Sequence, residues 1–231
     1  MLDCGFSVKE TVARLQRLGK AGDDISAIVV THEHGDHIRG VGAMARQFSL
    51  PVWMTQGTYR AVESTIGQLP ELNIIDLQET IVIDDVQLQP FAVPHDAREP
   101  SQFVFSNGNQ RLGILTDTGM ITPHIEQMLD DCDALVLECN HDSNMLMSGE
   151  YPPSLKERVG GNLGHLDNDA AAGLLSRMRT DKLQHLVAAH LSEKNNTPAL
   201  VKWALSDTLG CPESWIKIAQ QDAGLAWCHI S

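Results

Sequence analysis

Thr31-His-Glu-His-Gly-Asp-His37 puts four metal-ligand side chains, His32, His34, Asp36 and His37, into six residues. Neutral imidazole and carboxylate are the donors preferred by borderline divalent ions such as zinc. Three of the chain's ten histidines stand in this run, interleaved with an acid and a glycine, which is too dense for an ordinary solvated loop. Four donors on one short loop cannot all reach a single ion at tetrahedral angles, so the spacing points to two neighbouring ions. His32 and His34 would serve the first and Asp36 and His37 the second, with a carboxylate from elsewhere as the bridge. Two ions about 3.5–4 Å apart can hold one hydroxide and clamp the attacking and leaving oxygens of a displacement. The chemistry open to such a run is metal-assisted hydrolysis.

Further ligand-type residues fall at the ends of predicted strands, where layered folds gather their sites. They are His95 and Asp96 after Pro94, Asp117 in Thr116-Asp-Thr-Gly119, Glu138 with His141 and Asp142, His165 in Gly160-Gly-Asn-Leu-Gly-His165, and His190 in Ala188-Ala-His-Leu191. Asp117 suits the bridge, because a carboxylate has two oxygens and Gly119 would let the backbone pass close to the ions. Plainer roles stay open for all of these: a turn-forming Asp117, His95 and His190 as core or surface histidines, His165 at a helix start, and Glu138, His141 and Asp142 as polar strand ends. His124, His185 and His229 read as structural or surface residues.

The elements that would position them follow from periodicity. Ser7 can cap a helix running to Leu18, with Val8, Val12, Leu15 and Leu18 on one face. Ala27–Thr31 reads as a strand leading into the histidine run, Val41–Phe48 as a helix, Pro51–Met54 as a strand and Tyr59–Leu69 as a helix. Ile81–Ile83, Val86–Val93, Gln102–Ser106 and Arg111–Thr116 form a β-rich middle, with Asn107-Gly108-Asn109 as a hairpin turn. Helices at Pro123–Leu129, Asn168–Met178 and Pro198–Leu209 then alternate with strands at Ala134–Glu138 and His185–Ala189. Strands at Trp215–Ala219 and Leu225–Cys228 close the chain. The pattern is that of a layered α/β structure with sheets inside.

The 231 residues are 42% hydrophobic and 20% charged, as expected of one globular domain over residues 1–231. No apolar run is long enough to span a membrane and the N-terminus lacks a signal-peptide layout, so a cytoplasmic protein without membrane partners is expected. Five cysteines, an odd number without a CxxC pair, argue against a disulfide framework and read as buried free thiols. The net charge of −13 excludes nonspecific coating of nucleic acid. A nucleic-acid substrate would need a local basic patch, or recognition of a strand end at the metals.

His32-Glu-His-Gly-Asp-His37 resembles the HxHxDH signature of the metallo-β-lactamase superfamily, and the rest of the chain follows that pattern in order. Asp3 in Leu2-Asp-Cys-Gly5 resembles the early strand-end Asp, His95 the third-motif histidine, Asp117 the bridging Asp and His190 the last histidine. The resemblance implies one ion on His32, His34 and His95, a second on Asp36, His37 and His190, and Asp117 between them, with His141 a further candidate ligand. Leu2-Asp-Cys-Gly-Phe-Ser7, Pro94-His-Asp-Ala97, Glu138-Cys-Asn-His-Asp142, Tyr151-Pro-Pro153, Gly164-His-Leu166 with Asn168, and His190-Leu-Ser192 with Asn195-Asn196 narrow it to the YycJ/WalJ/VicX branch, which is related to RNase Z, RNase J and PhnP. That branch implies a phosphodiesterase, foremost a 5′-end-directed DNA exonuclease, using two zinc, manganese or iron ions. His165 would donate a proton to the leaving oxygen, and Glu138 would orient a histidine; with Asp36 they form the expected catalytic set.

The implied fold is a four-layer αββα sandwich. The family carries a glycine- and serine-rich hairpin ahead of the stretch matching Leu2-Asp-Cys-Gly5, so the expected sandwich lacks its first N-terminal hairpin and has an exposed strand edge. The alternative function is a small-molecule hydrolase of the same fold, a thioesterase or lactonase. A non-catalytic metal-stabilised module is disfavoured, because structural zinc sites are closed by four ligands without surplus acids.

Overall fold

The computed structural model of the protein describes residues 1–231. The chain forms two compact units, Met1–Ala92 with Ala97–Ser101, and Val93–Asp96 with Gln102–Ser231.

The first unit opens with α1 (Val8–Arg17), which starts where expected because the Ser7 side chain accepts the Glu10 N–H at 3.3 Å. There follow β1 (Ile28–Val29), the single turn α2 (Gly35–Ile38), α3 (Val41–Phe48), β2 (Pro51–Thr55), α4 (Gln56–Val62), β3 (Glu71–Ile75), β4 (Ile81–Ile83) and β5 (Val86–Ala92). β1, β2 and β3 form a parallel sheet in that order, while β4 and β5 pair as an antiparallel hairpin. On its other edge β1 meets Leu2, which bridges to Val29. Ile28, Val30, Val41, Met44, Val52 and Met54 are the buried core here, and Val8 and Leu15 of α1 lean on it. A parallel sheet covered on its faces needs such apolar strands.

Two expectations change in this unit. α4 runs from Gln56 to Val62 instead of Tyr59 to Leu69, because the Thr55 side chain caps it early by accepting the Thr58 N–H at 3.3 Å. β3 was not anticipated. Its residues are mostly exposed or half-buried and show no clean alternation, as suits the edge of a sheet.

The second unit contains β6 (Ser101–Ser106), β7 (Arg111–Leu115), α5 (Pro123–Leu129), β8 (Ala134–Glu138), α6 (Ser143–Ser148), α7 (Pro153–Val159), α8 (Asn168–Arg177), β9 (His185–Ala189), α9 (Pro198–Leu209) and β10 (Lys217–Ile218). Its strands lie in the order β10-β9-β8-β7-β6. β6 and β7 are antiparallel across a turn with Gly108 at φ 90°, as the Asn-Gly signal requires. β7, β8, β9 and β10 run parallel, so their C-terminal ends emerge along one edge. The expected strand at Leu225–Cys228 is absent, and Trp215–Ala219 shrinks to a 3₁₀ turn at Glu213–Trp215 followed by β10. Apart from the buried Ile216, these segments are half-buried or exposed, so little packing holds them in extended pairing. The short helices α6 and α7 had no apolar period to announce them. α6 rests on an Asp142 cap that accepts the Met145 N–H, and α7 on Pro153 in its first turn.

Candidate metal centre

The first unit presents the histidine run. β1 ends at Val29, and His34 sits in extended conformation as the residue before the turn α2, so Asp36 and His37 project from the helical turn while His32 and His34 precede it. The His32 and His34 rings meet edge to face at 4.7 Å, and the His32 and His37 centroids are 4.2 Å apart. His37 Nε2 is 3.6 Å from Asp36 Oδ2, and Asp36 is largely exposed. The run is held from behind by the segment Met1–Gly5. Cys4 N–H donates to the His37 carbonyl at 2.7 Å and Gly40 N–H to the Cys4 carbonyl at 2.8 Å. Gly5 is required there, since a Cβ on it would stand 1.6 Å from the Asp36 carbonyl oxygen.

Asp3 is the hub of this half. Its carboxylate accepts the Thr31 N–H, the Thr31 hydroxyl and His37 Nδ1, each at 2.8 Å. The Thr31 oxygen in turn takes His32 Nδ1 at 2.9 Å. Asp3 has φ 54°, a left-handed backbone that only glycine, asparagine, aspartate and histidine adopt with any frequency. The resemblance had singled Asp3 out, but no local spacing reveals that it orients His37.

The second unit presents the remaining donors along one sheet edge. The parallel register pairs Leu115 with Leu137, Leu137 with Ala188, and Glu138 with Ala189. Asp117 therefore follows β7, Glu138 ends β8, and His190 leaves β9, side by side. Asp117 and His190 both take left-handed backbones, φ 56° and 58°, which turn their side chains off the strand direction. The donor atoms of Asp117, Glu138, His165 and His190 all lie within 4.8 Å of one another. His95 joins them, with Nε2 3.9 Å from Asp117 Oδ1 and Nδ1 3.0 Å from the Gly164 carbonyl oxygen.

Glu138 is fully buried and its two oxygens take four hydrogen bonds. Oε1 accepts from His165 Nδ1 at 2.9 Å and His190 Nδ1 at 2.7 Å; Oε2 accepts the N–H groups of Thr118 and Leu166 at 3.2 and 3.1 Å. Burial works to raise its carboxyl, but the hydrogen bonds from His165 and His190 outweigh it and hold the group ionised, below the usual carboxylate value. Buried asparagines brace the same loops. Asn140 donates to the His190 carbonyl at 3.0 Å, and Asn196 donates to the Cys139 carbonyl at 2.8 Å and pairs with Asn168. All three fall in motifs that narrow the resemblance, but their bracing role is not legible from sequence, because their partners lie far along the chain.

Other expectations shift. Gly119 is needed because its backbone lies against the loop at Gly161 and Asn162, where a Cβ would approach within 2.3 Å of the Asn162 carbonyl carbon. Asp142 caps α6. Asp96 pairs with Arg158 at 2.6 Å. His141 is buried, its backbone bridged to Asp167, and burial lowers its pKa.

The donor set fits divalent metal. His32, His37, His95, His165 and His190 each place Nδ1 against an oxygen of this chain, from a hydroxyl, carboxylate or carbonyl. On His32, His37, His95 and His190 that arrangement fixes the proton on Nδ1 and directs the Nε2 lone pair outward, as in metal-binding histidines.

The sequence matches the β-lactamase superfamily domain over residues 1–190. It is 37% identical to the exodeoxyribonuclease YycJ of Bacillus anthracis over 211 residues, covering 90% of this chain and 80% of that one. Identity to the exodeoxyribonuclease WalJ of Streptococcus pneumoniae is 30%, over 90% of this chain and 79% of the relative. Among solved structures, the metallo-β-lactamase fold protein YhfI of Bacillus subtilis superposes with a TM-score of 0.72 at 14% identity, covering 98% of this chain and 85% of that one.

Proposed function

The chain belongs to the β-lactamase superfamily, and we propose that within it the protein is a metal-dependent DNA exonuclease, acting from 5′ ends, that hydrolyses phosphodiester bonds. Its fold class is the αββα sandwich of that family. Two divalent ions, zinc, manganese or iron, would be held by His32, His34 and His95 and by Asp36, His37 and His190, with Asp117 bridging. Such ions supply Lewis-acid neutralisation of phosphate charge and a nucleophile at neutral pH.

The observation that carries the reading is the single Glu138 oxygen shared by His165 and His190. One buried anion thereby orients a metal ligand and a second imidazole outside the ligand set. Glu138 holds the His165 ring through Nδ1, which leaves Nε2 as the atom that would hand a proton to the departing alkoxide. A poor leaving group such as a DNA 3′-oxygen needs that proton; a thiolate does not. The same logic gives His165 a catalytic role, Glu138 the role of positioning it, and Asp36 a role as ligand at the exposed side. DNA as substrate is supported by the exodeoxyribonuclease relatives, and cytoplasmic action by the nature of that substrate. No helix of the chain is long and apolar enough to cross a membrane.

The test is digestion of linear 5′-phosphorylated duplex DNA by protein loaded with zinc, manganese or iron, beside a thioester and a lactone. Progressive release of nucleotides is expected. Intact DNA alongside hydrolysed thioester or lactone would overturn the nuclease reading in favour of a small-molecule hydrolase.

A further inference from the structure

A pocket of about 360 Å³ opens in the first unit beside α2 and α3. It lies within the same turn as the histidine run, since Glu33 and Gly35 form part of its wall. Arg39, at the C-terminal end of α2, and Arg46 of α3 both line it. This is notable in a chain with 17 basic against 30 acidic residues. The Arg46 guanidinium is fixed, with Nη1 donating to the Ile66 and Gln68 carbonyls at 2.9 and 3.2 Å. Arg39 folds back over Gly35, where a Cβ would stand 3.1 Å from its Nη2. The lone acid of the lining, Glu33, has Oε1 engaged by the Arg98 N–H at 2.8 Å. The lining also includes three buried apolar side chains, Ile38, Val62 and Ile66.

Two arginines and three aliphatic side chains lining one pocket match one ligand class, a nucleotide unit with its phosphate on the arginines and its base on the aliphatic side chains. The volume is that of a small-ligand pocket, for which about 300–1,000 Å³ is usual. We infer that this pocket holds one nucleotide of the substrate strand beside the histidine run. The inference rests on the exonuclease reading for the origin of the nucleotide. It also supplies the local basic patch that an acidic nuclease requires.

The test uses ¹⁵N-labelled, zinc-loaded full chain titrated with deoxyadenosine 5′-monophosphate. Saturable shifts are expected at the amides of Gly42, Ala43 and Thr65. Arg39→Glu should weaken the apparent affinity at these amides at least about tenfold, as guanidinium–phosphate hydrogen bonds are lost and a like charge is added. Ala43→Trp, at an exposed position of α3, should fill the pocket and abolish the shifts. Shifts absent from these amides in the wild type, or unchanged in both variants, would overturn the inference. DNA digestion by the same zinc-loaded sample separates the two proposals. Cleavage without these shifts removes the pocket alone; shifts without cleavage remove the nuclease reading alone.

Discussion

At the scale of single residues, His32, His37, His95, His165 and His190 are each held by a hydrogen bond at Nδ1. His165 differs from the others in standing outside the proposed ligand set while sharing the Glu138 oxygen with His190. His165→Ala should retain its metal content and lose turnover by about 100-fold or more, the usual contribution of a positioned proton donor. Metal analysis and single-turnover DNA cleavage check this, and an unchanged rate would remove the role. Asp3 touches no ion in the proposed scheme but fixes His37. Asp3→Asn keeps the shape and surrenders the charge, so metal affinity should fall about 10- to 100-fold, as for other partners of ligating histidines. Competition with a chromogenic chelator measures it. The candidate donors stand out in the chain because His-x-His-x-Asp-His is a local pattern. The partner of each Nδ1 does not, because Asp3 and His37 are 34 residues apart and Glu138 and His190 are 52 apart.

At the scale of elements, strongly periodic or capped segments came out where expected: α1 behind Ser7, α3, the β6–β7 hairpin and the strands β8 and β9. The exposed edge strand β3, the short capped helices α6 and α7 and the tail around Leu225–Cys228 did not. Weakly buried segments take their conformation from neighbours, so their own composition says little. Inter-element ties of this kind make a pH prediction. Asp130 follows α5 and accepts the Arg179 N–H at 2.7 Å and the Arg179 side chain at 2.8 Å, joining α5 to the end of α8. These backbone and side-chain hydrogen bonds hold the Asp130 carboxyl below its ordinary value. The folded-state pKa is the lower one, so the stabilisation is complete above the unfolded value of about 3.9 and is lost as pH falls through the folded value. Asp130→Asn should therefore lower the urea midpoint slightly at pH 7, with the gap to wild type closing under acid. A gap that persists below pH ~2 would show that the effect is not carried by the charge.

At the scale of the whole molecule, metal that binds the folded chain and not the unfolded one should raise global stability. Stripping with a chelator should abolish DNA cleavage and lower the thermal midpoint. Each site contributes about 2.7 kcal/mol when free metal stands at 100 times its dissociation constant. Elemental analysis should find two ions per chain, and one ion would break the two-ion reading. The sequence by itself determined the family and most of the strands that carry the candidate donors, because motif and hydrophobic period are written in local spacing. Only the tertiary structure decided which oxygen holds each imidazole, that Asp3, Asp117 and His190 turn through left-handed backbones, and that two arginines share a pocket beside the histidine run. Those features depend on the register between strands and on close backbone approach at glycines such as Gly5, where the facing atoms come from remote parts of the chain. Spacing along a sequence records what one element can offer; the fold decides what it meets.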